Sequence, residues 1–101
     1  MVEVRQTVRF ATWLAALRDT QGRARILKRI ERARDGNLGD VAPVGEGVSE
    51  MRLFFGPGYR LYFTLVGDAV VVLLCGGDKA TQANDINEAK QLAKEVRDGE
   101  G

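Results

Sequence analysis

Two arginines, a tyrosine and a glutamate fall at alternating positions in the stretch 48–65, VSEMRLFFGPGYRLYFTL. Side chains of a strand alternate between its two faces, so Glu50 and Arg52 share one face of a predicted strand. Arg60 and Tyr62 share one face of the next strand in the same way. Guanidinium groups bind phosphate through paired N–H donors. These four side chains therefore form a candidate phosphate-binding surface.

The connection Gly56-Pro57-Gly58 joins these strands and predicts an antiparallel hairpin. A three-residue loop places Arg52 opposite Tyr62 and Glu50 opposite Thr64. A slip by one residue would mix the polar and apolar faces, so the alternation favours this register. We therefore expect the two arginines and the phenol to converge on an exposed face. The alternative is that Glu50 simply neutralises Arg52.

A second candidate anion site follows the most apolar run of the chain, in Gly76-Gly77-Asp78-Lys79. Backbone N–H groups at the start of a helix attract anions, and Lys79 adds positive charge there. The segment lacks the glycine spacing and the GK[ST] ending of a P-loop. An ordinary glycine turn followed by a helix cap is the alternative.

The composition excludes several kinds of active site. The chain has no histidine, which removes a Cys–His pair, a Ser-His-Asp triad and a histidine-based metal site. A single cysteine, Cys75, excludes an internal disulfide, and its apolar surroundings indicate a buried small hydrophobic residue. No metal or cofactor is predicted.

Positive charge is concentrated in the first part of the chain. Residues 1–60 carry a net charge of +4 and residues 61–101 a net charge of −3. The segment from Arg18 to Arg34 alone has seven basic and two acidic residues. Such a stripe suits a polyanion such as RNA, although a solvated helix face is the alternative. The candidate RNA- or ribosome-binding residues are Arg23, Arg25, Lys28, Arg29 and Arg32.

The elements that must position these residues form one α+β domain over residues 1–101. Apolar periodicity predicts the order β-α-α-β-β-β-α, with a helical hairpin packed on a mostly antiparallel sheet and a helix at the C-terminus. Residues 36–47, with four glycines, are predicted to be a loop. The run 69–75 is apolar on both faces, as in an interior strand. No membrane span or signal peptide is predicted, so we expect a cytoplasmic protein.

Several motifs together resemble the HigB-like branch of the RelE/ParE superfamily of toxins, whose members are often described as addiction-module killer proteins. The resemblance covers nearly the whole chain and is strongest over residues 50–93. The motifs that carry it are Glu50-x-Arg52, Gly56-x-Gly58-Tyr59-Arg60-x-Tyr62 and Gly77-Asp78-Lys79-x-Thr81-Gln82 with Asp85-Ile86.

The resemblance implies a RelE-like fold and a type II toxin paired with a small helix-turn-helix antitoxin, in a possible toxin–antitoxin hetero-oligomer. It implies a metal-independent endonuclease that cleaves mRNA on the ribosome, where the 2′-hydroxyl of the RNA attacks the adjacent phosphate. Arg60 matches the arginine that holds this phosphate, while Arg52 and Lys79 lie where relatives carry basic or catalytic groups. Without histidine, the candidate general bases are Glu50, Tyr62 and Lys79.

Two other functions stay open from the sequence. The superfamily also includes ParE-type inhibitors of DNA gyrase, which are not nucleases, and a shared fold does not separate the two activities. A degenerate, non-toxic interaction module is the other alternative, which the nearly neutral net charge of +1 allows.

Overall fold

The computed structural model describes residues 2–100 of the chain, without the side chain of Glu100. Its elements follow the predicted order with one additional strand between the helical hairpin and the last three strands. They are β1 (Glu3–Gln6), α1 (Val8–Ala16), α2 (Thr20–Arg34), β2 (Val41–Gly45), β3 (Val48–Arg52), β4 (Arg60–Val66), β5 (Val70–Gly77), a single 3-10 turn (Lys79–Thr81) and α3 (Gln82–Glu100).

The five strands of this part of the chain form one mixed sheet in the order β1-β5-β4-β3-β2. β1 runs parallel to β5, and every other neighbouring pair is antiparallel. The sheet separates α1 and α2 on one face from α3 on the other. The expected α+β class with a mostly antiparallel sheet is thereby confirmed.

The prediction of a loop over residues 36–47 is wrong for its second half. Val41–Gly45 forms β2, which pairs with β3 so that Val41 lies opposite Met51. β2 is one of the two edge strands of the sheet, a position that tolerates Pro43 although proline has no backbone N–H to donate. The glycines obscured this strand, although two of the four, Gly45 and Gly47, belong to the register shift after Pro43 and to the turn at residues 46–47.

Each face of the sheet has its own apolar core. On the α1–α2 side, Phe10 and Ile26 pack against Met51, Leu61 and Phe63. On the α3 side, the core contains two alanines of the helix and the side chains of Val48, Tyr62, Val72, Leu74 and Cys75. β5 is buried on both faces, as predicted from its continuous apolar run.

Close packing between α1 and β5 depends on a glycine. Gly76 lies against the indole ring of Trp13, and a methyl group at this position would overlap the ring. The ring of Trp13 also meets Tyr59 edge-on, with 6.3 Å between centroids. The helical hairpin is thus held to the end of β5 and to the residue that precedes β4.

Cys75 is buried in the α3-side core, as the sequence predicted. Burial raises the pKa of its thiol to about 12, so the group stays protonated and unreactive at neutral pH. Among the helices of residues 2–100, none is long and apolar enough to cross a membrane.

Candidate nucleic-acid interface

The register of the β3–β4 hairpin differs from the predicted one by two residues. Arg52 lies opposite Arg60, and Glu50 lies opposite Tyr62. The connection has seven residues instead of three, and the backbone N–H of Leu53 donates to the carbonyl of Tyr59 at 2.9 Å. A shift of two residues leaves each side chain on its expected face, so the alternation of polar and apolar residues could not reveal it.

The expectation that this face is exposed is wrong. The exposed fractions of Tyr62, Glu50 and Arg60 are 0, 4 and 8 %. α3 lies across the face, and the side-chain amide of Gln82 donates to Glu50 at 3.0 Å. The apolar stripe of the last helix predicted that it packs on something, but not which face of the sheet it covers.

Both arginines of the hairpin have a carboxylate partner. Arg52 Nη2 lies 2.8 Å from Asp40 Oδ1, and Arg60 Nε lies 3.9 Å from Glu50 Oε1. The hydrogen bond from Arg52 lowers the pKa of Asp40 and raises the pKa of the arginine. Glu50 therefore pairs with Arg60. The alternative prediction, in which Glu50 neutralises Arg52, is wrong, because Arg52 pairs with Asp40.

Asp40 is a member of this site that the sequence did not indicate. It lies directly before β2, and its carbonyl accepts a hydrogen bond from the backbone N–H of Arg52 at 2.9 Å. Its position beside Arg52 depends on the pairing of β2 with β3. Since β2 was predicted to be a loop, no local signal could place the two side chains together.

Tyr62 is poorly suited to act as a general base in this conformation. Burial raises the pKa of its phenol above the usual 10, and the negative charges of Glu50 and Asp85 raise it further. The hydroxyl therefore stays protonated at neutral pH, and it has no hydrogen-bond partner among the described residues.

Lys79 lies at the same end of the sheet as the two arginines. β5 ends at Gly77, which is opposite Arg60, and the 3-10 turn begins two residues later. Asp78 caps this turn, because its carboxylate accepts hydrogen bonds from the backbone N–H groups of the next residues. The backbone N–H of Lys79 reaches the carbonyl of Pro57 at 3.4 Å, so the exposed lysine stands beside the hairpin loop.

The five basic residues predicted on the second helix divide into two groups. Arg29 donates to the carbonyls of Arg52 at 2.7 Å and Leu38 at 3.0 Å, and Arg23 donates to the carbonyl of Leu17. Burial lowers the pKa of Arg29. These two arginines therefore support the backbone, whereas the other three of the predicted five, Arg25, Lys28 and Arg32, are exposed.

A groove of about 460 Å³ lies between α2 and the start of the hairpin loop. The three exposed cations form one wall, and Leu53, Phe54 and Phe55 form the other. The guanidinium carbon of Arg25 lies 4.1 Å from the centroid of the Phe55 ring, in a cation–π contact. We call this depression the cationic groove. It can accept an anionic ligand that also offers a flat, apolar surface.

Among the described residues, no group of three or more cysteine, aspartate and glutamate side chains is arranged to hold a metal ion. This end of the molecule offers guanidinium, ammonium and carboxylate groups together with the exposed aromatic ring of Phe54.

Comparison with known proteins gives one relative with a long alignment. The chain is 42 % identical over 95 residues to an uncharacterized protein of Haemophilus influenzae. The alignment covers 94 % of this chain and 96 % of the relative. No family model matches the sequence.

Proposed function

We propose, from its residues and geometry, that this chain is a type II toxin of the HigB-like branch of the RelE/ParE superfamily. The chain belongs to the same family as the Haemophilus influenzae protein. Its proposed activity is metal-independent, ribosome-dependent cleavage of mRNA, which inhibits translation in the cytoplasm. The proposed partners are the ribosome, mRNA and a small helix-turn-helix antitoxin that forms a hetero-oligomer with the toxin.

One observation carries this proposal: exposed basic residues from distant parts of the chain border the β3–β4 loop. Arg25, Lys28 and Arg32 reach it from α2 and Lys79 from the turn after β5. Among residues 2–99, no carboxylate lies within ion-pair distance of these four side chains. Positive charge without internal partners is what binding to phosphates requires.

The fold also supports the proposal. A helical hairpin follows the first strand, four strands with antiparallel neighbours form the middle of the chain, and a helix follows the last strand. This order resembles the RelE-like β-α-α-β-β-β-α arrangement but has one further strand, β2, at the sheet edge. An antitoxin with an acidic segment would cover the exposed cations of α2 and neutralise them.

In the proposed reaction, the 2′-oxygen of the RNA forms a bond to the adjacent phosphorus and the bond to the 5′-oxygen breaks. The 2′-proton passes to a base and the 5′-oxygen takes up a proton. Lys79 is exposed and stabilises the charge that develops on the phosphate oxygens, and Arg60 contributes once its buried side chain becomes accessible. Because Glu50 is buried against Gln82 and Arg60, we assign most of the rate enhancement to positioning and charge stabilisation.

Expression of the chain without its antitoxin, followed by mapping of mRNA 5′ ends, tests the activity. We expect growth arrest and new 5′ ends within translated messages. The double variant Lys28→Glu/Arg32→Glu should produce fewer of these ends because both substitutions reverse charge in the cationic groove. Lys94→Glu, which reverses one exposed charge on α3, is the control for charge reversal outside the groove. Growth arrest without new 5′ ends would falsify the nuclease proposal, and unslowed growth would favour a non-toxic interaction module.

Inhibition of DNA gyrase is the second candidate function. The burial of Glu50 and Tyr62 favours it, because a gyrase inhibitor needs no accessible general base. A supercoiling assay with purified gyrase separates the two functions. Loss of supercoiling at stoichiometric protein supports inhibition, whereas unchanged supercoiling at excess protein eliminates it.

A further inference from the structure

Phe54 is the most exposed aromatic residue in the described part of the chain, with 81 % of its surface accessible. Its two neighbours behave differently, since Leu53 is buried and Phe55 packs against the core beneath α2. Single exposed apolar residues are common on protein surfaces and need no explanation by themselves. This ring differs because it borders the cationic groove.

Three basic side chains follow the groove along α2. Arg25, Lys28 and Arg32 are separated by three and four residues, so they lie on one face of the helix. With a rise of 1.5 Å per residue they extend over about 10 Å. Among residues 2–99 no carboxylate is paired with any of them. A row of unneutralised cations of this length suits a chain of phosphates.

The hairpin side of the groove is held in place before any ligand binds. Arg29 bonds to the carbonyls of Arg52 and Leu38, which fixes the end of β3 against α2. Arg25 covers the ring of Phe55. The ring of Phe54 is therefore attached to a supported backbone, which reduces the entropy lost when a ligand orders it.

We propose that the cationic groove binds single-stranded RNA, with an unpaired base stacked on Phe54 and phosphates held by Lys28 and Arg32. The inference rests on the proposed function in taking RNA as the ligand. Aromatic platforms beside basic side chains are the general means by which proteins hold single strands. An acidic peptide would use the cations of the groove but would gain little from the exposed face of Phe54.

Fluorescence anisotropy with a labelled ten-nucleotide oligouridine measures this binding. Phe54→Ala should raise Kd roughly 5- to 150-fold, which is the range for loss of one stacked base. Phe54→Trp should stay close to the wild type because it keeps the aromatic face. Leu65→Ala, which truncates another exposed apolar side chain, is the matched control and should leave Kd unchanged.

The salt dependence of Kd tests the phosphate contacts separately. Each phosphate held on a single strand contributes about 0.7 to the slope of log Kd against log salt concentration. Lys28→Ala/Arg32→Ala should therefore reduce this slope by about 1.4. Lys94→Ala should leave the slope as in the wild type.

Equal affinity of wild type and Phe54→Ala for the oligouridine would overturn the inference. A ten-residue polyglutamate provides a second test. If Phe54→Ala weakens binding of this peptide as much as it weakens binding of the oligouridine, the inference is overturned in favour of a peptide site. The proposed nuclease is tested independently, since binding requires no cleavage. RNA binding that depends on Phe54 without cleavage on ribosomes would sustain this inference while the proposed function fails.

Discussion

At the scale of single residues, the hairpin places two arginines directly opposite each other without leaving their charges uncompensated. Asp40 pairs with Arg52 at the surface, and Glu50 faces Arg60 in the interior. A buried arginine without a counter-ion is strongly unfavourable. Glu50 thus has a structural role as the internal partner of Arg60, whether or not it also takes part in catalysis.

Removal of Glu50 tests this role. We expect Glu50→Ala to lower the free energy of unfolding by about 3 kcal/mol, because it leaves Arg60 buried without its carboxylate. The double variant Glu50→Ala/Arg60→Met should lose less than the sum of the two single changes, since the stranded charge is gone. Urea denaturation measures all three variants. Strictly additive losses would contradict a direct Glu50–Arg60 interaction.

The residue types in the hairpin predicted the face of each side chain but not its partner. Alternation assigned Arg60 and Tyr62 to one face, and the structure has them on one face under α3. The pairing of Arg52 with Asp40 could not be predicted because it depends on β2, which brings the residue before it alongside the end of β3. The sequence had indicated a loop there. Nothing in the pattern indicated that Phe54 lies beside α2.

At the scale of elements, Asp19 connects the helical hairpin to the β3–β4 loop. One carboxylate oxygen accepts the backbone N–H of Gly22 at 2.9 Å and caps α2, and the other accepts the hydroxyl of Tyr59 at 2.8 Å. Gly22 has no room for a side chain, since a methyl group there would meet both Asp19 and Tyr59. The start of α2 and the end of the loop are therefore fixed together.

This connection predicts a specific dependence of stability on pH. The hydrogen bonds from Gly22 and then Tyr59 hold the pKa of Asp19 below its usual 3.8. Such a carboxylate stabilises the fold above its unfolded pKa, and the contribution is lost as the pH falls through its lower, folded pKa. We expect the difference in unfolding free energy between wild type and Asp19→Asn to be full near neutral pH and to shrink below about pH 4.

Thermal or urea unfolding between neutral pH and about pH 2 measures this difference. Tyr59→Phe removes one of the two donors and should reduce the dependence on pH without abolishing it. A difference that stays constant over the whole range would show that the Asp19 carboxylate has no special partner in the folded state.

The sequence predicted the helices and β5 better than it predicted how the elements pair and pack. Helical periodicity and an apolar run on both faces gave α1, α2, α3 and β5. The register of β3 with β4 was not determined, because a two-residue shift preserves every face. The position of α3 was not determined either, since an apolar stripe indicates which side of a helix is buried but not which surface of the protein it packs against.

At the scale of the whole molecule, the uneven distribution of charge along the chain becomes a difference between two sides of the sheet. The basic segment 18–34 forms α2 on one side, and the acidic C-terminal part forms α3 on the other. An elongated anion is attracted to the α2 side, which has the cationic groove and Phe54. If the ligand is RNA, as we propose, this polarity would orient the strand as it approaches, before any specific contact forms.

We propose that the α2 side of the sheet brings mRNA to a site that cleaves it on the ribosome. The most direct measurement adds the purified chain to ribosomes programmed with a defined mRNA and maps the 5′ ends by primer extension. We predict new ends in ribosome-bound message, none in free message, and slower cleavage by Lys28→Glu/Arg32→Glu than by Lys94→Glu. Ribosome-bound mRNA that stays intact at excess protein would contradict the account.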